Sequence, residues 1–411
     1  MRFCFVTTFF PPYHFGGDAI FVANLANLLV ENGHSVEVVH CADSFELLRG
    51  PVQLSPVPLH PSVQVHTLRS SAGPLSPLLT QLTGQPGLKS KTLKSILDKD
   101  FDVVHWHNLS LVGGPGALPL GRGVRLCTLH DYWLICPTHI LFKSNGTACI
   151  NRTCVTCTLA HRRPPQLWRL GGYVSRAVTH IDAFIAPSQF VREKYRKSHL
   201  AITPLVLPHF FTARTRWPPP VSRDYYFFAG RLEQAKGLQT VIRHFRKSGR
   251  RLVIAGSGTY EQELKRQCAG NRQVEFIGRV TYQDLPRWYA GARATIVPSI
   301  CYETFGLTVL ESLQQGTPVI TSHFGALPET VGATEGGEVY SNAEELEAIL
   351  TRFDADPEYA SRLGERGSAN LTPYSPQEHL RSYLEIIDRC RRPNTERPDE
   401  SGLKDQLCEL Q

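Results

Sequence analysis

The chain has 411 residues, of which 42% are hydrophobic and 20% are charged. This composition excludes a fibrous or intrinsically disordered protein, and the length predicts at least two domains, since a domain typically has about 100 to 200 residues. Lys and Arg number 44 against 37 Asp and Glu, and the resulting net charge of +7 is too small for a nucleic-acid-binding surface unless the basic residues cluster.

The first ten residues are mostly apolar, but two prolines follow them and they lack the small-residue cleavage site of a signal peptide. They are predicted to form a buried strand. No apolar run reaches the length of about 18 residues that spans a bilayer. We therefore expect a cytoplasmic protein that has no nucleic acid among its partners.

Strand-like runs alternate with amphipathic helical runs along the first half of the chain. The predicted strands are residues 2–10, 35–41, 63–68, 102–107, 125–130 and 182–187. Nearly continuous apolar strands that alternate with helices are typical of a parallel sheet covered on both faces. The segment 70–87, which is rich in Ser, Pro, Leu and Gly, is predicted to be a long loop.

The same alternation restarts after a proline-rich linker, residues 213–224. The predicted strands of the second half are residues 225–229, 251–255, 274–277, 294–297 and 318–321. The predicted fold class is therefore α/β, with two Rossmann-like doubly wound domains, residues 1–212 and 213–375, that face a central cleft. A further helix is predicted over residues 376–392 and a disordered tail over residues 393–411.

The turn after the predicted strand 294–297 carries two acidic residues on its way into a helix. Glu303 lies in the turn and Glu311 comes eight residues later. The residues between them that would begin the helix are Thr304, Phe305, Gly306 and Leu307. Free backbone N–H groups at such a helix N-terminus attract phosphate. Two carboxylates about 12 Å apart, the rise of eight helical residues, would bind hydroxyl groups at opposite ends of a nucleotide sugar.

Basic and glycine residues follow the other strands of the second domain. Arg231 and Lys236 lie five positions apart in a glycine-bounded turn, where they would neutralise a diphosphate leaving group. Gly256 ends the next strand in a Gly-Ser-Gly turn, which allows a ligand to approach the backbone. Arg279 and Val280 end the strand after that one.

Taken in chain order from Arg231 to Glu311, these turns resemble the donor-binding domain of the group 1 retaining nucleotide-sugar glycosyltransferases. This family has the GT-B fold and includes bacterial glycogen synthases and mannosyltransferases. The first domain is also similar to the family, at Gly16 and Gly17 after the first strand. The resemblance implies that the helix 376–392 crosses back to pack on the first domain.

The resemblance also implies roles for individual residues. Arg231 and Lys236 would bind the donor diphosphate, Glu303 would bind hydroxyls of the donor sugar, and His130 matches the family histidine beside the reacting sugar carbon. The donor-binding residues that it implies are Gly16, Gly17, Gly256, Arg279, Val280, Thr304, Phe305, Gly306, Leu307 and Glu311, the last for the ribose. The donor would be a UDP- or GDP-sugar, transfer would retain the anomeric configuration, and catalysis would require no cofactor.

Four cysteines follow the His130 turn with the spacing C-x12-C-x4-C-x2-C, at Cys136, Cys149, Cys154 and Cys157. Four thiolates within 22 residues suit a structural zinc ion, and the two-residue spacing of the last pair is common in zinc sites. The long first gap is also compatible with four reduced thiols, or with a redox or disulfide role.

The sequence therefore predicts a glycosyltransferase whose acceptor is a saccharide, preferably a lipid-linked saccharide of cell-surface polysaccharide synthesis. The segment 161–176 mixes arginines with Trp168, Leu170 and Tyr173, as a helix lying on an anionic membrane surface would. A helix packed on its own sheet is an equal alternative. Two other functions stay open, a nucleotide-sugar-binding scaffold without turnover and another GT-B enzyme such as a sugar phosphorylase or a nucleotide-sugar epimerase.

Overall fold

The computed structural model describes residues 1–48, 54, 56–200, 202–212, 214–218, 220 and 223–391, with the backbone alone at residue 247. The predicted tail, residues 393–411, lies outside the described residues. Parts of the predicted linker 213–224 do as well, so the domain boundary at 212 and 213 stays a prediction.

A seven-stranded parallel sheet occupies the first half of the described chain. Its strands are β1 (Arg2–Thr7), β2 (Ser35–Cys41), β3 (Gln64–Leu68), β4 (Val103–Asn108), β5 (Val124–Thr128), β6 (Ala183–Ala186) and β7 (Leu205–Val206). The strand order is β3-β2-β1-β4-β5-β6-β7, and neighbouring strands pair in parallel.

A second parallel sheet has six strands in the order β10-β9-β8-β11-β12-β13. They are β8 (Tyr225–Ala229), β9 (Arg251–Ala255), β10 (Val274–Gly278), β11 (Ala292–Val297), β12 (Val319–Ser322) and β13 (Gly337–Tyr340). The predicted α/β class with two doubly wound sheets is confirmed. The predictions omitted β7 and β13, which are too short for their apolar residues to stand out.

Helices connect the strands on both faces of each sheet. In the first half they are α1 (Gly17–Glu31), α2 (Ala42–Leu48), α3 (Leu75–Thr83), α4 (Ser90–Leu97), α5 (Cys154–Ala160), α6 (Tyr173–Val178) and α7 (Gln189–Arg196). In the second half they are α8 (Leu238–Ser248), α9 (Glu261–Gln267), α10 (Leu285–Gly291), α11 (Leu307–Gln314), α12 (Leu327–Thr334), α13 (Ala343–Ala355), α14 (Pro357–Ala369) and α15 (Pro376–Arg391). Short 3-10 helices are Gly87–Lys89, Pro115–Ala117, Leu167–Gly171, Gln234–Lys236 and Thr372–Tyr374. No helix in the described part of the chain combines the length and apolar character needed to cross a membrane.

Alternate residues of the first sheet enter two separate cores, as the pleat of a strand requires. Cys4 and Val6 of β1 belong to one core, while Phe3 and Phe5 belong to the other. The second of these cores also contains Tyr383 of α15, whose hydroxyl lies 2.7 Å from His105 Nδ1. The end of the chain described here therefore packs on the first sheet rather than on the sheet that precedes it in sequence.

The prediction of a loop over residues 70–87 is wrong, because this segment contains the helix α3. Ser76, Pro77, Thr80 and Gln81 form the buried face of α3, and its exposed face carries leucines. The leucines of α3 do recur at helical spacing, at positions 75, 78, 79 and 82, but the Ser, Pro and Gly residues around them favoured a loop.

Contacts between the two halves close one side of the cleft. The Glu329 carboxylate of α12 accepts hydrogen bonds from the backbone N–H groups of Gln189 and Phe190, at 2.8 and 3.0 Å. These groups lie in the first turn of α7, where the helix dipole favours a negative charge. Ser188 Oγ donates to the Thr304 carbonyl at 2.8 Å. The predictions did not include Glu329, because its partner is 139 residues away in sequence.

Candidate active site

The candidate site lies between the carboxyl ends of the two sets of strands, where parallel α/β sheets bind their ligands. Gly17 begins α1 just beyond β1, and a Cβ atom at this position would lie 3.3 Å from Leu307 Cδ1 at the start of α11. Thr304 Oγ1 donates to the His130 carbonyl at 3.1 Å. The structure thus brings the predicted glycine turn, the strand-end histidine and the N-terminus of α11 together.

The N-terminus of α11 depends on glycine. Gly306 has φ +98°, in the left-handed region, and a Cβ atom there would lie 2.9 Å from Leu327 Cδ2. The backbone can therefore turn sharply from Phe305 into the helix. Val309 N donates to the Gly306 carbonyl at 2.9 Å, and the N–H groups before it have no carbonyl one turn earlier in the helix. Glu303 lies in the turn before this helix, so only part of the segment from Glu303 to Glu311 is helical.

Glu303 forms the acidic side of the site. Its Oε1 atom accepts from Lys236 Nζ at 2.6 Å and from the Ser299 hydroxyl. Burial alone would raise the pKa of Glu303, but the Lys236 ammonium and the Ser299 hydroxyl outweigh it and hold the pKa below its usual value. Glu303 is therefore ionised at neutral pH and ready to accept hydrogen bonds from sugar hydroxyls.

Backbone contacts fix the turn that carries Arg231 and Lys236. Ile300 N donates to the Ala235 carbonyl at 3.0 Å, and Leu232 N donates to the Ser257 carbonyl at 2.9 Å. The turn is thereby attached to both the Glu303 turn and the Gly256 turn. Arg231 is exposed, unlike Lys236, whose ammonium pairs with Glu303.

A second arginine approaches Arg231 from the first domain. Partial desolvation lowers the pKa of Arg163, and the positive charge of Arg231 lowers it further. The preceding loop reaches the same turn, since a Cβ atom at Gly146 would lie 3.5 Å from Gln234 Nε2. Two positive charges close enough to act on each other favour a nearby anionic ligand. Arg163 was not predicted as a site residue, because only the tertiary structure brings it near the charge of Arg231.

Gly256 forms the floor of the donor side. Its φ is +138°, and a Cβ atom there would lie 1.9 Å from the Gly230 carbonyl oxygen, so no other residue fits without moving the backbone. Gly256 N donates to the Gly278 carbonyl at 2.7 Å, which joins this turn to the end of β10. Arg279 and Val280 follow directly, with Arg279 exposed and Val280 half-buried.

Glu311 lies on α11 with its carboxylate held by two groups. Arg214 Nη2 donates to Oε1 at 3.2 Å, and the Tyr289 hydroxyl donates to Oε2 at 3.1 Å. Burial raises the pKa of Glu311, and these two partners offset the rise only in part. The predictions missed Arg214 and Tyr289, since neither belongs to a motif around Glu311 in the sequence.

Nucleotide affinity should therefore depend on the ionisation of Glu311. The raised pKa means that the folded chain binds this proton more tightly than the unfolded chain, so the contribution of Glu311 to stability falls as the pH rises above about 4.3. Ribose hydroxyls prefer the ionised carboxylate as acceptor. We expect affinity for the nucleotide to weaken by up to about tenfold per pH unit below the raised pKa.

Calorimetric titration of wild-type, Glu311→Gln and Glu358→Gln proteins across the acidic range would measure this dependence. Glu358 is a matched control, because its side chain is 89% exposed on α14. Glu358→Gln should show the wild-type pH dependence of nucleotide affinity, whereas Glu311→Gln should lose the part of it that comes from ionisation of Glu311. Identical pH profiles for all three proteins would contradict the assignment of Glu311 to the ribose.

His130 is part of a buried histidine network. Its Nε2 lies 2.9 Å from His107 Nδ1, and its Nδ1 lies 3.2 Å from His209 Nε2. Burial lowers the pKa of all three histidines, so the rings are neutral. Because both ring nitrogens of His130 are engaged by other imidazoles, it forms a neutral wall of the cleft rather than a strong general base. A catalytic role for His130 stays a prediction.

The four cysteines do not form the predicted structural zinc site. No three His, Cys, Asp or Glu side chains within the described ranges are arranged to hold a metal ion. Cys136 is buried with its Sγ 3.2 Å from Thr138 Oγ1, and Cys149 Sγ lies 3.7 Å from the Asn151 carbonyl. Burial raises the pKa of both Cys149 and Cys157, which favours neutral thiols. The cysteine spacing therefore does not translate into a tetrahedral ligand set.

The prediction of one membrane-surface helix over residues 161–176 is also wrong. This segment is a loop, the 3-10 helix Leu167–Gly171 and the start of α6. The Arg169 guanidinium lies over the rings of Trp133 and Trp168, at 4.8 and 4.6 Å from their centroids, and donates to the Leu134 carbonyl. Cation–π contacts hold this arginine inside the domain instead of on its surface.

Comparisons with known families match both halves of the chain. Residues 210–369 match the family model described as glycosyl transferases group 1. Residues 15–205 match the model described as glycosyltransferase family 4. Together the two models cover residues 15–205 and 210–369, so β1 and α15 lie outside them.

Individual proteins agree with these matches. An uncharacterized glycosyltransferase of Methanocaldococcus jannaschii is 26% identical over 80% of this chain and 83% of its own length. A GDP-mannose-dependent monoacylated alpha-(1-6)-phosphatidylinositol monomannoside mannosyltransferase of Corynebacterium glutamicum is 33% identical over 29% of this chain and 34% of its own. The crystal structure of the Anabaena protein HepE in complex with UDP superposes with a TM-score of 0.66 at 17% identity, covering 94% of this chain and all of that one.

Proposed function

Since the chain belongs to the group 1 glycosyltransferases, we propose that it transfers a sugar from a UDP- or GDP-sugar to a lipid-linked saccharide with retention of anomeric configuration. The observation that carries the donor part of this proposal is the grouping of Arg231, Lys236 and Glu303 around the N-terminus of α11. These are the charges and donors that a sugar diphosphate requires.

The donor would lie along the second domain. The diphosphate would bind between Arg231, Lys236 and the N–H groups of Phe305, Gly306 and Leu307, with Thr304 beside them. The sugar would contact Glu303, and the ribose would contact Glu311. Arg279 and Val280 would border the base, and the backbone of Gly256 would allow its close approach. Gly16 and Gly17 would cover the diphosphate from the first domain.

The reaction breaks the bond between the sugar C1 and the β-phosphate oxygen, and it forms a bond from the acceptor oxygen to C1. Negative charge develops on the departing phosphate, where Arg231, Lys236 and the α11 N-terminus stabilise it. The acceptor proton moves to that phosphate, which leaves as the nucleoside diphosphate. No metal is needed to neutralise the leaving group in this scheme.

Ion pairing in the cleft supports retention. A direct displacement with inversion needs a carboxylate or imidazole that is free to deprotonate the acceptor. Glu303 and Glu311 are instead bound to Lys236 and Arg214, and the His130 ring is bound to two neutral imidazoles. Of the two carboxylates whose charges act on His130, Asp131 is paired with His139, and Asp18 lies in the first turn of α1, so Asp18→Asn should retain transfer if the phosphate is the base. With the phosphate as base, the acceptor would attack on the face that the leaving group vacates, so the configuration at C1 is kept.

A lipid-linked acceptor, and with it a peripheral position on the inner face of the membrane, is supported by charge and by one relative. Residues 47–181 contain 14 Lys and Arg against 4 Asp and Glu, so the excess positive charge is concentrated in the first domain. Anionic lipids attract such segments. The Corynebacterium glutamicum relative is named for an acceptor built on phosphatidylinositol.

Thermal-shift measurements with UDP, GDP, ADP and their sugars would test the donor site. A ligand that binds only the folded state raises Tm by mass action. We expect a base-selective rise that Glu311→Ala abolishes and the exposed-site control Glu358→Ala retains. If no nucleotide at millimolar concentration raised Tm of the wild-type protein, the proposed donor site would be wrong.

Product analysis separates the alternatives. Retention predicts the donor configuration at C1 in the product, which the proton coupling of the anomeric centre reports by NMR. A scaffold would bind nucleotide without releasing sugar from it, a phosphorylase would accept inorganic phosphate in place of the saccharide, and an epimerase would return an altered nucleotide sugar.

A further inference from the structure

Helix α3 of the first domain has its polar and apolar faces reversed. Leu75, Leu79 and Leu82, at spacings of four and three residues, are 60%, 40% and 46% exposed. The opposite face is buried, and there Ser76 and Thr80 accept hydrogen bonds from the buried Lys89 ammonium at 3.0 and 2.9 Å. A helix in water normally buries its apolar face, so these leucines require a partner.

Two adjoining 3-10 helices extend the exposed apolar surface. Leu88 is 55% exposed on the 3-10 helix Gly87–Lys89, and Leu167 and Leu170 are 59% and 75% exposed on the 3-10 helix Leu167–Gly171. Both elements pack on α3, the second through a 3.0 Å hydrogen bond from Trp168 Nε1 to the Gln81 carbonyl. The six residues that we call the leucine face are Leu75, Leu79, Leu82, Leu88, Leu167 and Leu170.

Basic residues border the leucine face. Lys91 and Lys94 are exposed on α4, which follows the 3-10 helix Gly87–Lys89 directly, and Arg176 is exposed on α6, which follows Leu167–Gly171. Residues 47–181 carry a net charge of +10 in a chain whose total is +7. The leucine face therefore combines apolar side chains with a rim that is mainly positive.

This combination is confined to the first domain. Among the described residues, every exposed large apolar side chain except Trp217 precedes residue 171. The leucine face also connects to the cleft, because Trp168 packs on Trp133 with 5.9 Å between ring centroids, and Trp133 follows the His130 turn. A surface bound to the leucine face thus lies beside the acceptor side of the site.

We propose that the leucine face docks the first domain on a bilayer that contains anionic phospholipids. The leucines enter the boundary between headgroups and acyl chains, while Lys91, Lys94 and Arg176 contact the anionic headgroups. The inference rests on the proposed function, since docking there presents the cleft to a lipid-linked acceptor. The predicted segment 161–176 contributes Leu167, Leu170 and Arg176 to this surface, but as a 3-10 helix and the start of α6 beside α3 rather than as one helix.

Vesicle sedimentation of the full-length protein tests this proposal. The vesicles are phosphatidylcholine alone, or equal parts of phosphatidylcholine and phosphatidylglycerol. We expect binding to the mixed vesicles, and a decrease of at least about tenfold in the partition coefficient for the triple variant Leu79→Ser, Leu82→Ser, Leu170→Ser. Lys91→Gln with Lys94→Gln should weaken binding to the mixed vesicles by about fivefold per lysine. Trp217→Ser, which removes an exposed apolar side chain elsewhere, should bind as the wild type does.

Four outcomes would overturn the proposal. The wild type fails to bind mixed vesicles, or the triple variant binds as well as the wild type. Alternatively, a chain that ends at Arg391 binds the mixed vesicles while the full-length chain does not, which would show that residues 392–411 cover the leucine face. A concentration-dependent dimer in analytical ultracentrifugation that the triple variant abolishes would show instead that a second copy covers this face. Nucleotide-induced thermal shifts are measured for every variant as well. They report on the donor site in the absence of a membrane, so a failure of the docking proposal can be distinguished from a failure of the proposed function.

Discussion

Replacing Arg231 by alanine is expected to lower kcat for sugar transfer by about 10²- to 10³-fold, the usual cost of removing one group that stabilises transition-state charge. Lys236 is already neutralised by Glu303 at 2.6 Å, so Arg231 supplies the larger uncompensated charge toward the departing diphosphate. Its side chain is exposed, and the fold should not depend on it. Steady-state kinetics and the urea midpoint of unfolding measure the two effects.

A matched substitution distinguishes the effect of a positive charge at the leaving-group site from the effect of the overall charge of the domain. Arg272 is an exposed arginine of the same domain, outside the cleft-facing turns, and Arg272→Ala removes the same charge. We expect Arg272→Ala to retain wild-type kcat. Equal losses in both variants would mean that only the overall field of the domain matters, and wild-type kcat in Arg231→Ala would exclude Arg231 from the leaving-group site.

Replacing Gly256 by alanine should destabilise the second domain by about 4 kcal/mol, combining backbone strain with overpacking. The new Cβ atom would lie 1.9 Å from the Gly230 carbonyl oxygen, and the φ of +138° is one that L-residues rarely adopt. The turns after β8 and β9 would have to separate, so donor binding should be lost as well. Urea unfolding measures the first effect, and nucleotide-induced thermal shift measures the second.

Gly249→Ala is the control for this substitution. Gly249 also has a positive φ, +72°, but a Cβ atom there meets nothing within 4 Å. We expect a cost of about 1 kcal/mol from backbone conformation alone and unchanged nucleotide binding. If Gly256→Ala were no worse than Gly249→Ala, the close approach of the two turns would have no energetic importance.

The cleft holds its carboxylates in ion pairs, which affects how a donor binds. Arg214 occupies one oxygen of Glu311 and Tyr289 the other. A carboxylate oxygen can accept more than one hydrogen bond, so ribose hydroxyls need not displace these groups. Arg214 and Tyr289 instead fix the orientation of Glu311 before the donor arrives, which reduces the entropy lost on binding.

The strands and the donor motifs could be predicted from the sequence because their signals are local. An apolar run of five to seven residues between turn residues identifies a buried parallel strand, and the predicted bounds at 35–41, 225–229 and 251–255 coincide with β2, β8 and β9. Arg231 and Lys236 lie within one strand-to-helix turn, and Glu303 and Glu311 lie in another such turn and in the helix that directly follows it. Residues this close in sequence stay close in the folded protein, so their spacing could be interpreted from the sequence alone.

Features that depend on distant partners were decided only by the tertiary structure. The sequence did not show that helix α3 buries its polar face, because that face depends on the buried Lys89 ammonium, which donates to Ser76 and Thr80. The cysteine spacing predicted a metal site, yet which thiols meet depends on the path of the loop between them. Two residues, Arg163 and Arg214, join the site, and Glu329 joins the contact between the two halves. Each is far in sequence from the residues it meets, so no local sequence pattern predicts these contacts. Local propensities determined the sheets and turns of this protein, while long-range packing determined the charges that face its cleft and the apolar side chains left on its surface.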